Sequence, residues 1–245
     1  MILMYHNIAP EKDFNTVSLS DFEAQMKYIS EHFNPVAADE YIAEIDGANK
    51  KRYITVTFDD AYVCLRELVL PIIKKYKVPL IIFVPTHHVG NYNTWDGGAH
   101  KTTIMTWEEI KELDQEPLIT FGSHGYDHVS FGHITAAVKE KEFRQSKEDL
   151  EHQLGKKTEF FAYPFGQLEH REKRDVGYLK KNGYKAAFTT NWSRNNSSAN
   201  IYALNRIDIL PDTGVAGFID ILTRRFQPKF YKQIAKNIVH RLKLK

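Results

Sequence analysis

The stretch Ile54-Thr55-Val56-Thr57-Phe58-Asp59-Asp60 runs from strand-forming residues directly into two adjacent carboxylates, with no turn residue between them. A strand buried in a sheet and ending this way delivers two negative charges to one rim. Such a pair is costly to desolvate and repels itself unless a cation or an arginine shares the site.

Other apolar runs have the same character: Ile2–Tyr5, Leu80–Val84, Leu118–Phe121, Glu159–Tyr163, Ala186–Thr189 and Asn205–Ile209. Several are continuous rather than alternating, as expected of strands covered on both faces in a parallel sheet. Between them the spacing predicts helices over Asp21–His32, Leu65–Tyr76, Trp107–Leu113, Thr135–Leu154 and Val176–Asn182. Ser20 with Glu23, and Thr106 before Trp107-Glu108-Glu109, read as capping boxes, and Asn182-Gly183 as a helix stop. Strands and helices that alternate without a Gly-x-Gly-x-x-Gly fingerprint predict an α/β fold, a closed or nearly closed (β/α) barrel of about seven parallel strands. At 245 residues, with 42% hydrophobic and 26% charged residues, the chain fits a single soluble domain of that kind. No linker, repeat or low-complexity tract divides it. Residues 1–226 read as the barrel and 227–245 as a C-terminal basic helix.

Eight of the 33 basic residues fall in 224–245 with no acidic residue among them, leaving 25 basic against 31 acidic residues in the body. An acidic body argues against nucleic acid as a partner. In the tail, Phe230, Ile234, Ile238 and Leu242 recur every four residues among Lys and Arg, a pattern suited to an anionic membrane surface. Packing on the barrel, with the basic face in solvent, is the favoured alternative. The first residues lack the basic start and long apolar core of a signal peptide, and no apolar run is long enough to cross a bilayer. A cytoplasmic location is expected, unless a signal sequence was removed. The lone Cys64 excludes an intramolecular disulfide and reads as a small buried apolar residue. The 13 Tyr, 15 Phe and 3 Trp fill cores and can also supply the flat apolar surface that sugar-handling clefts use.

Opposite the aspartates, Leu118–Phe121 runs into Gly122-Ser123-His124-Gly125-Tyr126-Asp127-His128. Histidines at i and i+4 point the same way if the segment turns helically. Two imidazoles and one carboxylate leave open positions on zinc or a similar divalent cation, as a hydrolytic site requires. All strand C-termini of a barrel open on one face, so Asp59-Asp60 and His124/His128 are expected to converge there. A zinc protease would carry Glu directly after the first histidine, where this chain has Gly125. An iron oxygenase would usually keep its carboxylate close to the first histidine rather than on another strand. Tyr163-Pro164-Phe165-Gly166 reads as a tight turn with a backbone N–H available to an oxyanion.

These three elements, in this order, resemble the polysaccharide deacetylases, the family that shares the NodB homology domain. Thr57-Phe58-Asp59-Asp60 and Ser123–His128 match its first two motifs in full. The opening Leu3-Met4-Tyr5-His6 and the Phe161–Gly166 turn look most like the branch acting on poly-N-acetylglucosamine exopolysaccharides. The resemblance implies a distorted (β/α) barrel that removes N-acetyl groups from a glycan, lipid-linked if the tail meets a membrane. It implies a divalent metal on Asp60, His124 and His128, zinc first and cobalt or nickel as alternatives. It further implies Asp59 as general base toward the attacking water and the Phe165 N–H as an oxyanion donor.

The chain departs from the family pattern in three places. Ala162 stands where many members carry a base-orienting Arg, Phe188 where they carry an Asp ahead of Trp192, and Leu204-Asn205-Arg206 where a Leu-x-His supplies the acid. Arginine stays protonated and is a poor acid, so Arg206 is expected to pair with Asp59 in place of the missing Arg. The proton donor is then Asp59 itself or a rim histidine, with His6 foremost; the alternative for His6 is a hydrogen-bonded core residue. His87, His88 and His133 read as exposed loop residues without a role. Two other functions share these features: a glycan-binding domain whose site has decayed, and a deacylase acting on a non-sugar amide or an O-acetyl group.

Overall fold

The structure, a computed structural model, describes residues 1–48, 52–95, 100–132 and 134–223. The boundary at 226, the basic helix expected over 227–245, and His133 lie outside the described residues. The strands are β1 (Ile2–Tyr5), β2 (Asn7–Ala9), β3 (Thr16–Ser18), β4 (Asn34–Pro35), β5 (Tyr53–Phe58), β6 (Leu80–Val84), β7 (Ile119–Ser123), β8 (Phe160–Ala162), β9 (Ala186–Trp192) and β10 (Leu204–Asp208). The helices are α1 (Leu19–His32), α2 (Ala38–Ala43), α3 (Leu70–Tyr76), α4 (Trp107–Leu113), α5 (Ala136–Leu154), α6 (Asp175–Lys181) and α7 (Gly214–Thr223).

Hydrogen bonding runs β1-β10-β9-β8-β7-β6-β5, and β1 pairs with β5 as well, so the sheet closes into a barrel. Every pairing in that ring is parallel, with Leu3 opposite both Val56 and Ile207 where β1 closes it. This is the expected (β/α) barrel. Strand β4 adds to the start of β5, and β2 and β3 form a separate pair after β1.

Strand side chains alternate between faces, and both faces here are buried. Ile2, Ile81, Phe83, Phe160, Ala162, Ala186, Phe188 and Leu204 form one cluster that fills the barrel. The cluster continues into Val36, Ala38, Tyr41 and Ile45, so α2 covers the end where the strands begin. At Gly122 an added Cβ would lie 2.7 Å from the Phe83 ring, so only glycine lets that ring occupy the interior. The alternate residues, among them Leu3, Tyr5, Val56, Phe58, Leu80 and Ile82, pack under helices through Phe22, Met26, Ile29, Ile73 and Phe218. Each such burial is worth about 1.5–3 kcal/mol. With one end covered by α2, a cleft opens at the other, where the strands end.

Several boundaries differ from the sequence reading. Helix α1 is capped by Ser18, whose Oγ accepts the Asp21 N–H at 3.1 Å; Ser20 already lies in the first turn. Thr106 and Glu109 do form the capping box. The predicted Leu65–Tyr76 helix splits into a π turn over Leu65–Val69 and then α3. Pro71 accounts for the break, because it has no N–H to donate and is tolerated only in a first turn. Strands β2, β3 and β4 and helices α2 and α7 have no counterpart in the sequence reading; all of these but α7 are too short to show a period.

Candidate active site

Strand β5 delivers the two aspartates. The Asp59 N–H still bonds the Tyr5 carbonyl at 3.0 Å, in register with β1, and then Asp60 and Ala61 turn left-handed, with φ of 71° and 52°. Successive strand residues face opposite sides, and that turn ends the strand so that both carboxylates line one cleft. His124 and His128 also meet, although not by helical spacing. The segment after β7 is an irregular bend with Gly125 at φ 78° and His128 at φ 52°. Non-glycine residues in this region cost about 1–3 kcal/mol each, and Asp60, His128 and Phe165 (φ 58°) all adopt it at the cleft.

Glu142 of α5 holds the bend. Fully buried, it accepts the Tyr126 N–H at 2.8 Å and the Asp127 N–H at 3.0 and 3.1 Å. Burial pushes its carboxyl up to about 7, against the pull of those N–H groups. The sequence reading missed Glu142, but a signal existed. Lys139 and Glu142 lie at core spacing with Phe143, Ser146 and Leu150 on the buried stripe of α5, and charged residues at such positions need a specific partner. Lys139 has one in Asp175, at 2.7 Å.

Asp60, His124 and His128 form a compact triad. Asp60 Oδ1 lies 3.3 Å from His128 Nε2 and 3.6 Å from His124 Nε2, and one potential ligand atom from each residue falls within 4.8 Å of the others. Ligands about 2.0–2.1 Å from a tetrahedral ion stand about 3.3 Å apart, which matches the two Asp60 contacts. His124 Nδ1–H donates to the Ala162 carbonyl at 2.8 Å, which leaves Nε2 bare toward Asp60. Burial pushes His124 down to about 4, so it is neutral at pH 7, as a ligand must be. Asp60 Oδ1 is buried without a hydrogen-bond partner among the described residues. Burial opposes its ionisation, yet His128 and His124 hold the carboxyl below the ordinary range. An orphaned carboxylate oxygen facing two imidazoles fits a divalent cation.

Asp59 has a different neighbour. Arg206 of β10 grips it with both ends of the guanidinium, at 2.6 Å to Oδ1 and 2.7 Å to Oδ2. The same side chain donates to Thr57 Oγ1 at 3.0 Å and to the Thr189 carbonyl at 2.9 Å, and it is completely buried. Its guanidinium lies 5.6 Å from the centre of the Phe83 ring, in the barrel that Ala162 also lines. Burial opposes ionisation of Asp59, but Arg206, followed by His124, keeps the carboxyl below its ordinary range. His6 follows β1 and is half-buried in the wall of the same cleft. The Phe165 ring meets His128 edge-on at 5.1 Å, and Trp95, which the sequence reading did not single out, stacks on His128 at 3.8 Å. His87 is exposed and paired with Asp127, while His88 is half-buried rather than exposed. Neither lines the cleft.

Residues 46–187 match the sequence profile described as polysaccharide deacetylase. The chain belongs to the polysaccharide deacetylase family. A poly-beta-1,6-N-acetyl-D-glucosamine N-deacetylase of Staphylococcus aureus is 30% identical to this polysaccharide deacetylase over 208 residues, 80% of this chain and 69% of the relative. The Streptococcus pyogenes deacetylase PplD, solved in complex with acetate, superposes with a TM-score of 0.75 at 25% identity, over 90% of this chain and 96% of that one. IcaB from Ammonifex degensii shares the fold, with a TM-score of 0.76 at 23% identity over 91% and 96% of the two chains. Deacetylases of this family use a divalent metal, and the Asp60, His124 and His128 grouping suits one.

Proposed function

We propose that this chain hydrolyses N-acetyl groups on a poly- or oligosaccharide of the N-acetylglucosamine type, with a divalent cation held by Asp60, His124 and His128. One observation carries the reading: a single cleft holds an orphaned carboxylate facing two imidazoles and, beside it, a second carboxylate locked by an arginine. The substrate class is supported by the Staphylococcus aureus relative, which is named for poly-beta-1,6-N-acetyl-D-glucosamine.

When bound, the cation polarises the acyl carbonyl and makes water more acidic; zinc suits the His/carboxylate set first, with cobalt and nickel as alternatives. Asp59, ionised and fixed by Arg206, takes a proton from the attacking water. Arg206 moves no proton and acts by orienting the base. The Phe165 N–H meets the oxyanion that develops as the carbonyl becomes tetrahedral. His6 gives a proton to the amine as the C–N bond breaks. The oxygen of water ends in acetate, and the sugar is released as its ammonium form.

The test is an acetate-release screen over N-acetylglucosamine oligomers, lipid-linked acetamido sugars and peptidoglycan fragments, with Zn, Co and Ni. Release should stop on chelation, return with metal, and fall about 10²–10⁴-fold in Asp59→Asn. Bound oligomer with neither stoichiometric metal nor acetate release would instead identify a glycan-binding domain. For a lipid-linked substrate, the full chain should sediment with anionic liposomes and a chain lacking 227–245 should not; equal sedimentation removes the tail from the reading.

A further inference from the structure

Phe14 is 55% exposed, unusual for a phenylalanine held in a fixed conformation. It sits at the tip of a tight turn closed by mutual backbone hydrogen bonds of Asp13 and Thr16, 3.2 and 2.9 Å, with Asn15 left-handed at φ 51°. The Asp13 carboxylate accepts the Phe14 N–H at 2.7 Å, and Thr16 Oγ1 donates to the Phe14 carbonyl at 3.1 Å. The ring lies nearly parallel to His100, at 4.7 Å and 17°. His100 is fastened independently by Asn93, only 4% exposed. The Asn93 Nδ2 donates to the His100 carbonyl at 3.0 Å, while its Oδ1 accepts the Thr102 N–H at 2.6 Å. Two distant segments thus bring two flat rings together, and both rings line the cleft that holds Asp60, His124 and His128.

Position in the barrel gives this pair a use. The Phe14 turn joins β2 to β3, the pair that follows β1, and the His100 segment is tied to the chain just after β5 by the Tyr62–Ile104 bridge. Phe165 follows β8, which stands three strands away from β1 in one direction and three from β5 in the other. The rings and Phe165 thus come from opposite sides of the ring of strands and line the same cleft as the triad. The cleft runs from Asp60, His124 and His128 to Phe14 and His100, so it spans more than the reacting acetamido group. Pyranose rings present flat C–H faces rimmed by hydroxyls. An exposed aromatic face suits the first, and Asn7, Asn15 and Thr102, which line the same cleft, suit the second.

We propose that Phe14 and His100 form a stacking platform for a second pyranose ring of the same glycan, beside the residue that loses its acetyl group. The proposal rests on the deacetylase reading and makes this cleft a site for oligomers rather than single sugars. Because Phe14 is exposed, Phe14→Ala should fold with an unchanged melting curve. In the metal-loaded protein, KM should fall from N-acetylglucosamine monomer to trimer, and Phe14→Ala should cut that advantage about three- to tenfold, with Phe14→Tyr restoring it. Ligand-observed NMR titration of the same oligomers gives a readout independent of turnover. Length-dependent binding in the wild type that Phe14→Ala flattens sustains the platform even if no acetate is released, in which case only the deacetylase reading falls. Acetate release with the same trimer-to-monomer ratio in wild type and Phe14→Ala overturns the platform and leaves the reading standing. No binding of any oligomer overturns the platform outright.

Discussion

Arg206 encloses both oxygens of Asp59, at 2.6 and 2.7 Å, and both side chains are buried, Asp59 at the edge of the cleft. Removing one partner of such a pair leaves an uncompensated buried charge, so Arg206→Ala should lose about 3–5 kcal/mol in denaturant unfolding. The folded carboxyl lies below its unfolded value, so the stabilisation is complete above about pH 3.9 and is lost as pH falls through the folded value. Arg206→Ala should therefore acid-unfold at a higher pH than the wild type. The acid limb of its kcat/KM profile should also move to higher pH, because the burial that opposes ionisation is then offset by the neighbouring histidines alone. Arg206→Lys keeps the charge but not the two-pronged grip, and its kcat should fall. A wild-type acid limb in both variants would remove Arg206 from base positioning. Asp60 predicts the opposite dependence on an ion: chelation should lower the melting temperature by about 5–15 °C, and Asp60→Asn should abolish both that shift and stoichiometric metal binding.

At the scale of elements, α5 does for the histidine bend what β10 does for Asp59. Glu142 supports the loop between the two histidines without touching a cation position, through N–H bonds of 2.8 to 3.1 Å. Such support tunes metal affinity, so Glu142→Ala should weaken metal binding about 10–100-fold by competition titration, with Glu142→Gln between it and the wild type. Its carboxyl is pushed up to about 7. The folded chain therefore holds that proton over a range where the unfolded chain has lost it. The associated stabilisation is complete below about pH 4.5 and gone above about 7. Relative to Glu142→Gln, the wild type should lose melting temperature as pH rises from 5 to 8; a constant difference would show that Glu142 stays ionised. The sequence reading found α5 almost to the residue; Thr135, expected as its first residue, is its cap. It did not assign the buried charges on α5 because spacing identifies which face is buried and says nothing of the partner opposite.

Over the whole molecule, everything depends on closure of the ring at β1. Its four residues are buried and pair with β5 on one side and β10 on the other. Thr57 Oγ1 adds a hydrogen bond to the Leu3 carbonyl at 2.9 Å, beneath the aspartates. Leu3→Asp would bury a charge with no partner and open two parallel edges at once. It should shift the protein to aggregates in size-exclusion chromatography, whereas Leu3→Val, which keeps the burial, should remain folded with a modest loss of stability. Closure also explains why the strands were legible: with interior and exterior both apolar, each strand appears as a continuous run between helices.

The sequence by itself determined the barrel class, its seven ring strands and most of the helices between them, and the metal-ligating and carboxylate groups of the site, because buried strands and metal-ligating residue types leave a local composition that can be read along the chain. It did not determine how those groups meet. Left-handed backbone at Asp60 and His128, rather than helical spacing, brings the triad together, and Glu142 holds the bend between the two histidines from a distant helix. The pairing of Asp59 with Arg206 was expected from the motif that lacks its usual Arg, but its two-pronged grip, like the stack of Phe14 on His100, exists only once the ring has closed. They join segments far apart in sequence, and no local periodicity encodes which distant side chain will share a desolvated cleft.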